Sequence, residues 1–269
     1  MPSKEPNQAK GGLLRILMVG DVVGRPGRKA VSVLLPELRE KHKIDLIIAN
    51  GENAAGGIGL TPDTAHELLQ CGVDVITSGN HIWHHKEIIA YIESEPRVLR
   101  PLNMPPGVPG HGYLITGQAM VVNLLGRVFV GHFDCPFRAM DHLLEEVTLK
   151  PPVILVDFHG EATAEKMALG WYLDGRVSAV LGTHTHVGTI DARVLPKGTA
   201  FVSDVGMVGA YNSVIGDDID SVVERFLTSM PHRLSVGKGN PMFNSVLVDV
   251  EEDSGRALSI SRLDLELAE

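Results

Sequence analysis

The chain has 269 residues, 44% hydrophobic and 21% charged, enough apolar material for one large domain with a substantial core. Lys and Arg number 24 against 33 Asp and Glu, for a formal charge of −9, and aromatic residues make up only 5%. This balance argues against a broad nucleic-acid surface, which needs clustered cations, and against a stacking platform for single strands. A small phosphorylated ligand stays open, because bound metal ions can supply positive charge locally.

Cys71 and Cys135 lie far apart and form no CxxC motif, so they read as reduced, mostly buried thiols of a cytoplasmic protein. No apolar run approaches membrane-spanning length, and the polar start MPSKEPNQAKGG lacks a signal-peptide core. Residues 1–12 are expected to form a disordered tail, and 13–269 a single domain.

Leu14–Gly20 is a glycine-bounded apolar run that reads as a buried strand. From Pro26 to about Lys41, Val31, Leu34, Leu35 and Leu38 recur at helical spacing, with Pro36 a candidate kink. Asp45–Ala49 reads as a second strand. Thr61-Pro62 opens a helix that Gly72 stops, and Asp74–Ser78 is a third strand followed by a helix from about Lys86. This alternation predicts parallel strands in an α/β sheet. A proline- and glycine-rich stretch over 102–112 can open a small cap or insertion around 84–115. Strands are predicted over Ala119–Leu125 and Arg127–Gly131, a helix over Arg138–Val147, a strand over Val153–Asp157 and a helix over Ala162–Leu173. Further strands are predicted at Val177–Leu181, Ala192–Leu195, Thr199–Val202, Phe243–Val250 and Ala257–Leu265, with a helix at Asp218–Thr228.

Polar residues gather just after the predicted strands. Asp21 follows the first, Glu52 and Asn53 the second, Asn80 and His81 the third, His159 the strand at 153–157, and His184 and His186 the strand at 177–181. In open α/β sheets the carboxyl ends of the strands frame the ligand crevice, so all five segments can converge. Taken singly, each residue reads as a turn, a cap or a surface histidine. As a set, Asp21, Glu52, Asn53, Asn80, His159, His184 and His186 are the oxygen and nitrogen donors that two divalent ions require. No cysteine takes part, which excludes a structural Cys-type zinc site. Carboxylate, amide and imidazole together suit Mn, Fe or Zn.

The motifs GD, GEN, GNH, FH and GTHTH, with the stretches GDVVGRPGR, NGENAAGGIG, GNHIWHHK, NLLGRVF, DCPFR, VDFHGEATAEK and SDVGMVG, run in order from Gly20 to Gly209. On them the chain resembles the calcineurin-like metallophosphoesterases, and within these the bacterial YmdB-like branch. The resemblance implies a four-layer α/β sandwich of two mixed β-sheets flanked by helices. It also implies a dinuclear phosphodiesterase acting on small phosphodiesters, 2′,3′-cyclic nucleotides foremost, by in-line attack of a hydroxide held between the ions. One ion takes Asp21, Glu52, Asn53 and His186. The other takes Glu52, Asn80, His159 and His184, with Glu52 bridging and His81 as the catalytic histidine that is not a ligand. Fe or Mn is the expected metal, ahead of Zn or Mg. The chain departs from the wider superfamily in having Val23 where the first motif carries histidine, Glu52 for the bridging Asp, and Ile82-Trp83-His84 after GNH.

Asp204 is expected to orient a ligand histidine, and His84 and Arg138 to meet substrate. The competing reading is a regulatory protein that keeps the metals but only holds a nucleotide or RNA end. The sequence leaves room for a homo-oligomer.

Overall fold

Along Leu13–Val22 (β1) the side chains alternate between two apolar layers: Leu17 and Val19 face one, Ile16 and Met18 the other, and all are buried. A strand covered on both faces has to be central, and this one organises the fold. The computed structural model describes residues 12–117 and 119–267. The expected tail therefore lies outside the described residues except for Gly12.

After β1 come α1 (Gly24–His42), β2 (Leu46–Asn50), α2 (Pro62–Gln70), β3 (Val75–Thr77), α3 (Ile88–Ser94), β4 (Tyr113–Thr116) and β5 (Ala119–Leu125). The middle of the chain supplies α4 (Pro136–Glu146), β6 (Val153–His159), α5 (Thr163–Leu173), β7 (Ala179–Thr183), β8 (Arg193–Val194), β9 (Ala200–Val202) and β10 (Met207–Ala210). The chain closes with α6 (Ile219–Thr228), β11 (Pro241–Phe243), β12 (Ser245–Glu251), β13 (Ala257–Arg262) and β14 (Leu265–Glu266).

Two mixed sheets result. In the first, β1 pairs in parallel with β2 and β10 and antiparallel with β12, while β2 carries β3 in parallel. The second runs β4-β5-β6-β7-β9-β8, parallel through its centre. Ile16, Met18, Val121, Leu155, Leu181 and Val248 pack between the sheets. Ala30, Leu35, Leu68 and Ile88 place α1, α2 and α3 on the outer face of the first sheet, and Met140, Leu169 and Leu173 place α4 and α5 on that of the second. The predicted four-layer sandwich is therefore the fold.

Local departures have local causes. Helix α1 runs through Pro36, because Leu35 and Leu38 beside it are buried against the sheet. The strand expected at Arg127–Gly131 is a turn. The Glu165 carboxylate accepts the backbone N–H groups of Arg127 and Val128, and Phe129 sits at φ +63 with its side chain in solvent. The strand expected over Phe243–Val250 is broken at Asn244, whose carbonyl accepts from Gly20 N–H. Residues 84–115 contribute Ile88, Ile92, Val98 and Leu99 to the core, and the Ile76–Val98 bridge and the bond from Leu102 N–H to the Asn123 carbonyl tie them to the body. Cys71 and Cys135 are unpaired and half-buried rather than buried. Among the described residues, no helix is long and apolar enough to cross a membrane.

Candidate metal centre

The strand ends of both sheets deliver the polar set to one place. Asp21 lies at the end of β1, Glu52 and Asn53 just beyond β2, and Asn80 and His81 just beyond β3. From the second sheet, His159 ends β6 in register with Thr183 of β7, so His184 emerges beside it. Gly79 makes this approach feasible: a Cβ there would collide with Glu52 Oε2 and the imidazole of His159.

Glu52 Oε1 is 3.0 Å from His159 Nε2, and that nitrogen is 3.0 Å from His184 Nδ1. Asn53 Nδ2 stands 3.3 Å from Glu52 Oε1 and 3.1 Å from His186 Nε2, and Asp21 Oδ1 is 3.8 Å from the same His186 atom. Glu52, His159 and His184 offer donor atoms that all lie within 4.8 Å of one another. Asp21, Glu52, Asn53 and His159 are buried and Asn80 is half-buried, whereas the half-buried His81, His184 and His186 line a cavity of about 530 Å³ together with Glu52 and Asn53. The floor is buried and the rim is open.

Each of the three histidines has one nitrogen anchored and the other turned inward. His159 Nδ1–H donates to Thr183 Oγ1 at 2.9 Å, and Thr183 donates to Asp157 Oδ1 at 2.7 Å. His186 Nδ1–H donates to the Ile215 carbonyl at 2.6 Å, and His184 Nε2–H faces Glu161 Oε2 at 3.1 Å. His159 Nε2, His184 Nδ1 and His186 Nε2 are thereby turned toward the cluster around Glu52 and Asn53. Anchoring one ring nitrogen in this way fixes the tautomer of a metal-binding histidine.

The donor set fits metal ions. Asp21 Oδ1 and Asn80 Oδ1 are buried acceptors without a hydrogen-bond partner, a costly state that a cation removes. Donor separations near 3.0 Å around His159 match two ligands that share one ion at bond lengths of about 2.1 Å. The electrostatics of the metal-free protein agree. Burial pushes Asp21 up to about 6, although His186 and His159 oppose it. Burial also works against charge on Glu52, but His159 and then His81 outweigh it and hold that carboxyl down to about 2. Burial opposes charge on His159 as well, yet Glu52, Asp21 and Asp157 lift it to about 9. Burial and the charged His159 push His184 down to about 3. A single proton on His159 thus does part of the work that a cation would do.

The backbone is strained where it presents two of these histidines: His184 has φ +103 and His186 φ +66, a region that L-residues rarely adopt. Asp204 holds that loop. Its Oδ2 accepts from Thr185 N and Thr185 Oγ1, and from Lys166 Nζ at 2.7 Å, with Lys166 and Asp204 both 2% exposed as side chains. The carboxylate grips the residue between the two histidines rather than either ring.

His81 lies on the rim with its N–H directed to Glu52 Oε2 and its Nε2 3.2 Å from Asn80 Nδ2. Burial lowers its pKa, with Glu52 opposing. His84 is exposed, stacks edge-on against His85 and does not line the cavity. Arg138 is not brought to the centre; it lines a separate cavity with Asn103, Tyr113 and His142. Three polar side chains go unnoticed in the sequence reading: Glu161 and Asp217, which line the cavity, and the buried Lys166. Glu161 stands two residues after His159 within VDFHGEA, which was the available signal.

Two α/β sheets face to face, with carboxylate, amide and imidazole donors at their strand ends, define a fold of the metallophosphoesterase type. The family described as YmdB-like protein matches residues 17–263. The chain belongs to that family and is a phosphoesterase. It is 47% identical to the 2′,3′-cyclic-nucleotide 2′-phosphodiesterase of Bacillus subtilis (strain 168), over 93% of this chain and 96% of that one. Among solved structures, a hypothetical protein from Thermus thermophilus superposes with a TM-score of 0.89 at 48% identity, covering 95% of this chain and 100% of the other. A novel phosphatase from Mycoplasma pneumoniae superposes with a TM-score of 0.89 at 30% identity, covering 95% and 94%.

Proposed function

We propose that the protein hydrolyses small phosphodiesters, 2′,3′-cyclic nucleotides foremost, at a centre of two divalent ions. The inward-facing nitrogens of His159, His184 and His186 around Glu52, beside the unpartnered Asp21 Oδ1 and Asn80 Oδ1, are the observation that carries the reading. In it, Asp21, Glu52, Asn53 and His186 hold one ion, and Glu52, Asn80, His159 and His184 the other. Such ions, when bound, supply Lewis acidity toward phosphoryl oxygens and a lowered pKa for water. Fe or Mn suits the mixed donor set, with Zn or Mg next.

The chain's own residues supply the rest. Glu52 and Asp21 bring negative charge into a buried floor, where each electrostatic contact is stronger than in water. His81 receives a hydrogen bond from Asn80 Nδ2 on its Nε2, so the neutral ring carries its proton on Nδ1. That N–H can hydrogen-bond the departing ribose oxygen, and the ring passes a proton to it outright only in the imidazolium form. The cyclic-nucleotide assignment leans on the similarity to the Bacillus subtilis enzyme.

Metal analysis of the purified protein, coupled to turnover of 2′,3′- and 3′,5′-cyclic nucleotides and a generic aryl diester, tests the proposal. The 2′,3′-cyclic nucleotides should be preferred, and His186→Ala should lose metal and turnover together. Tight binding of cyclic nucleotide that persists for hours without hydrolysis would instead favour a regulatory binder.

A further inference from the structure

Beside the metal centre lies a second cavity, of about 620 Å³, whose charge runs against that of the whole chain. Arg25, Arg28 and Lys29 from the first turns of α1 line it, together with Lys238. Among the described residues no acidic side chain lines it, in a chain of formal charge −9. Arg28 is engaged with Glu67 and the Ala54 carbonyl. Arg25, Lys29 and Lys238 are exposed and make no ion pair or side-chain hydrogen bond among the described residues. Asp218 feels Lys238, but its carboxylate is occupied by the N–H and hydroxyl of Ser221.

The basic cavity adjoins the site. Gly56 lines both cavities, and Val236 of the basic one sits against Gly57 of the other. Asn53, assigned above to one ion, accepts the Gly24 N–H on its carbonyl, so the ligand loop is fixed to the start of α1. Gly56 lies three positions beyond Asn53, which bounds the Cα distance at about 11 Å. Neighbouring phosphates of a single strand can span such a gap. Gly56 and Gly239, with open space where a Cβ would stand, also leave backbone open to a ligand.

We infer that this cavity binds the phosphodiester backbone upstream of the reacting phosphate, so that the substrate class includes short RNA ends terminating in a 2′,3′-cyclic phosphate. This rests on the proposed function and extends it. The chemistry is coherent: attack of a ribose 2′-hydroxyl on its own 3′-phosphodiester expels the next nucleotide's 5′-oxygen and leaves a 2′,3′-cyclic phosphate on the strand. RNA transesterification is therefore the class of reaction that supplies such a substrate. Confinement of the cations to one cavity limits the contact to few phosphates, consistent with an otherwise acidic chain.

The test uses the metal-loaded protein with 2′,3′-cyclic AMP and a ribotetranucleotide ending in a 2′,3′-cyclic phosphate. The tetranucleotide should have the higher kcat/KM. For about two phosphate contacts its advantage should fall roughly sevenfold between 50 and 200 mM salt. Combined R25A, K29A and K238A changes should remove the advantage and its salt dependence and leave the mononucleotide rate unchanged. Fluorescence anisotropy of a labelled tetranucleotide with a 3′-phosphate gives a readout independent of turnover, and the triple variant should weaken binding about tenfold. Equal turnover of both substrates, or unaltered oligonucleotide binding in the triple variant, overturns the inference. So does a change in mononucleotide rate on adding inorganic phosphate that the triple variant abolishes, which would make the cavity an anion-regulated site. Failure to hydrolyse either cyclic phosphate, with oligonucleotide binding still dependent on the three cations, would count against the proposed function alone.

Discussion

His159 Nε2 faces His184 Nδ1 at 3.0 Å, a separation that two imidazole lone pairs tolerate only with a proton or a cation between them. In the metal-free protein the proton belongs to His159. Burial opposes that charge, but Glu52 and its acidic neighbours lift the ring to about 9 from 6.5, whereas burial and His159 leave His184 neutral at about 3.

This relationship sets a pH dependence. The folded metal-free chain keeps the His159 proton up to about pH 9, and the unfolded chain releases it near 6.5. A raised folded pKa contributes stability that is complete below 6.5 and lost as pH rises through 9. The other site groups add little in this window: His184, at about 3, is neutral in the fold and gives a small opposing gain as its unfolded form loses a proton near 6.5, while Asp21, at about 6, completes its ionisation and Glu52, at about 2, is already ionised. Thermal unfolding of chelated protein should therefore shift down by several degrees between pH 6.5 and 9, at roughly 2–4 °C per kcal/mol for a chain of this size. Metal-loaded protein, whose His159 Nε2 carries no proton, should lack that shift. A flat profile without metal would refute the assignment.

Thr183 relays His159 Nδ1–H to Asp157. Thr183→Val keeps the shape and removes the relay, so metal affinity should weaken about 10–100-fold. Competition with a chelator of known affinity measures it, and unchanged affinity would show that the ring is held by packing alone.

Replacing His81 with Ala should lower kcat by about 10²–10⁴ and leave the metal content unaltered, because the ring is assigned to proton donation and not to ligation. Single-turnover rates alongside elemental analysis separate these effects. Loss of metal would move His81 into the ligand set.

Lys166 and Asp204 form a buried pair that also fixes Thr185 between His184 and His186. Lys166→Met leaves a buried carboxylate without its cation and should cost about 3–5 kcal/mol. Denaturant titration of the metal-free variant checks it. A change below about 1 kcal/mol would mean that the hydrogen bonds to Thr185 and Gly206 satisfy Asp204 by themselves.

The convergence of the polar segments was legible because short polar side chains at strand ends, packed among glycines, have few structural uses as a set. Asp21, Glu52, Asn53, His159, His184 and His186 meet around one cavity, with Asn80 and His81 at its edge. Lys166 was not legible, because a lysine on a helix reads as solvent-facing until the fold supplies a buried Asp204. Glu161 looked like any acid at a helix start. Arg127–Gly131 carries strand-like apolar residues, but Glu165, distant in sequence, takes the backbone N–H groups that a strand would need. Strand β10 was missed because Val205–Ala210 is interrupted by glycines, and its pairing with β1 is visible only in three dimensions.

The central claim is a pair of ions sharing Glu52, and electron paramagnetic resonance of the chelated protein titrated with Mn²⁺ tests it most directly. The account predicts two ions per chain and an exchange-coupled spectrum that Glu52→Ala abolishes. Binding of a single ion with an isolated six-line signal, or no binding at all, would contradict it.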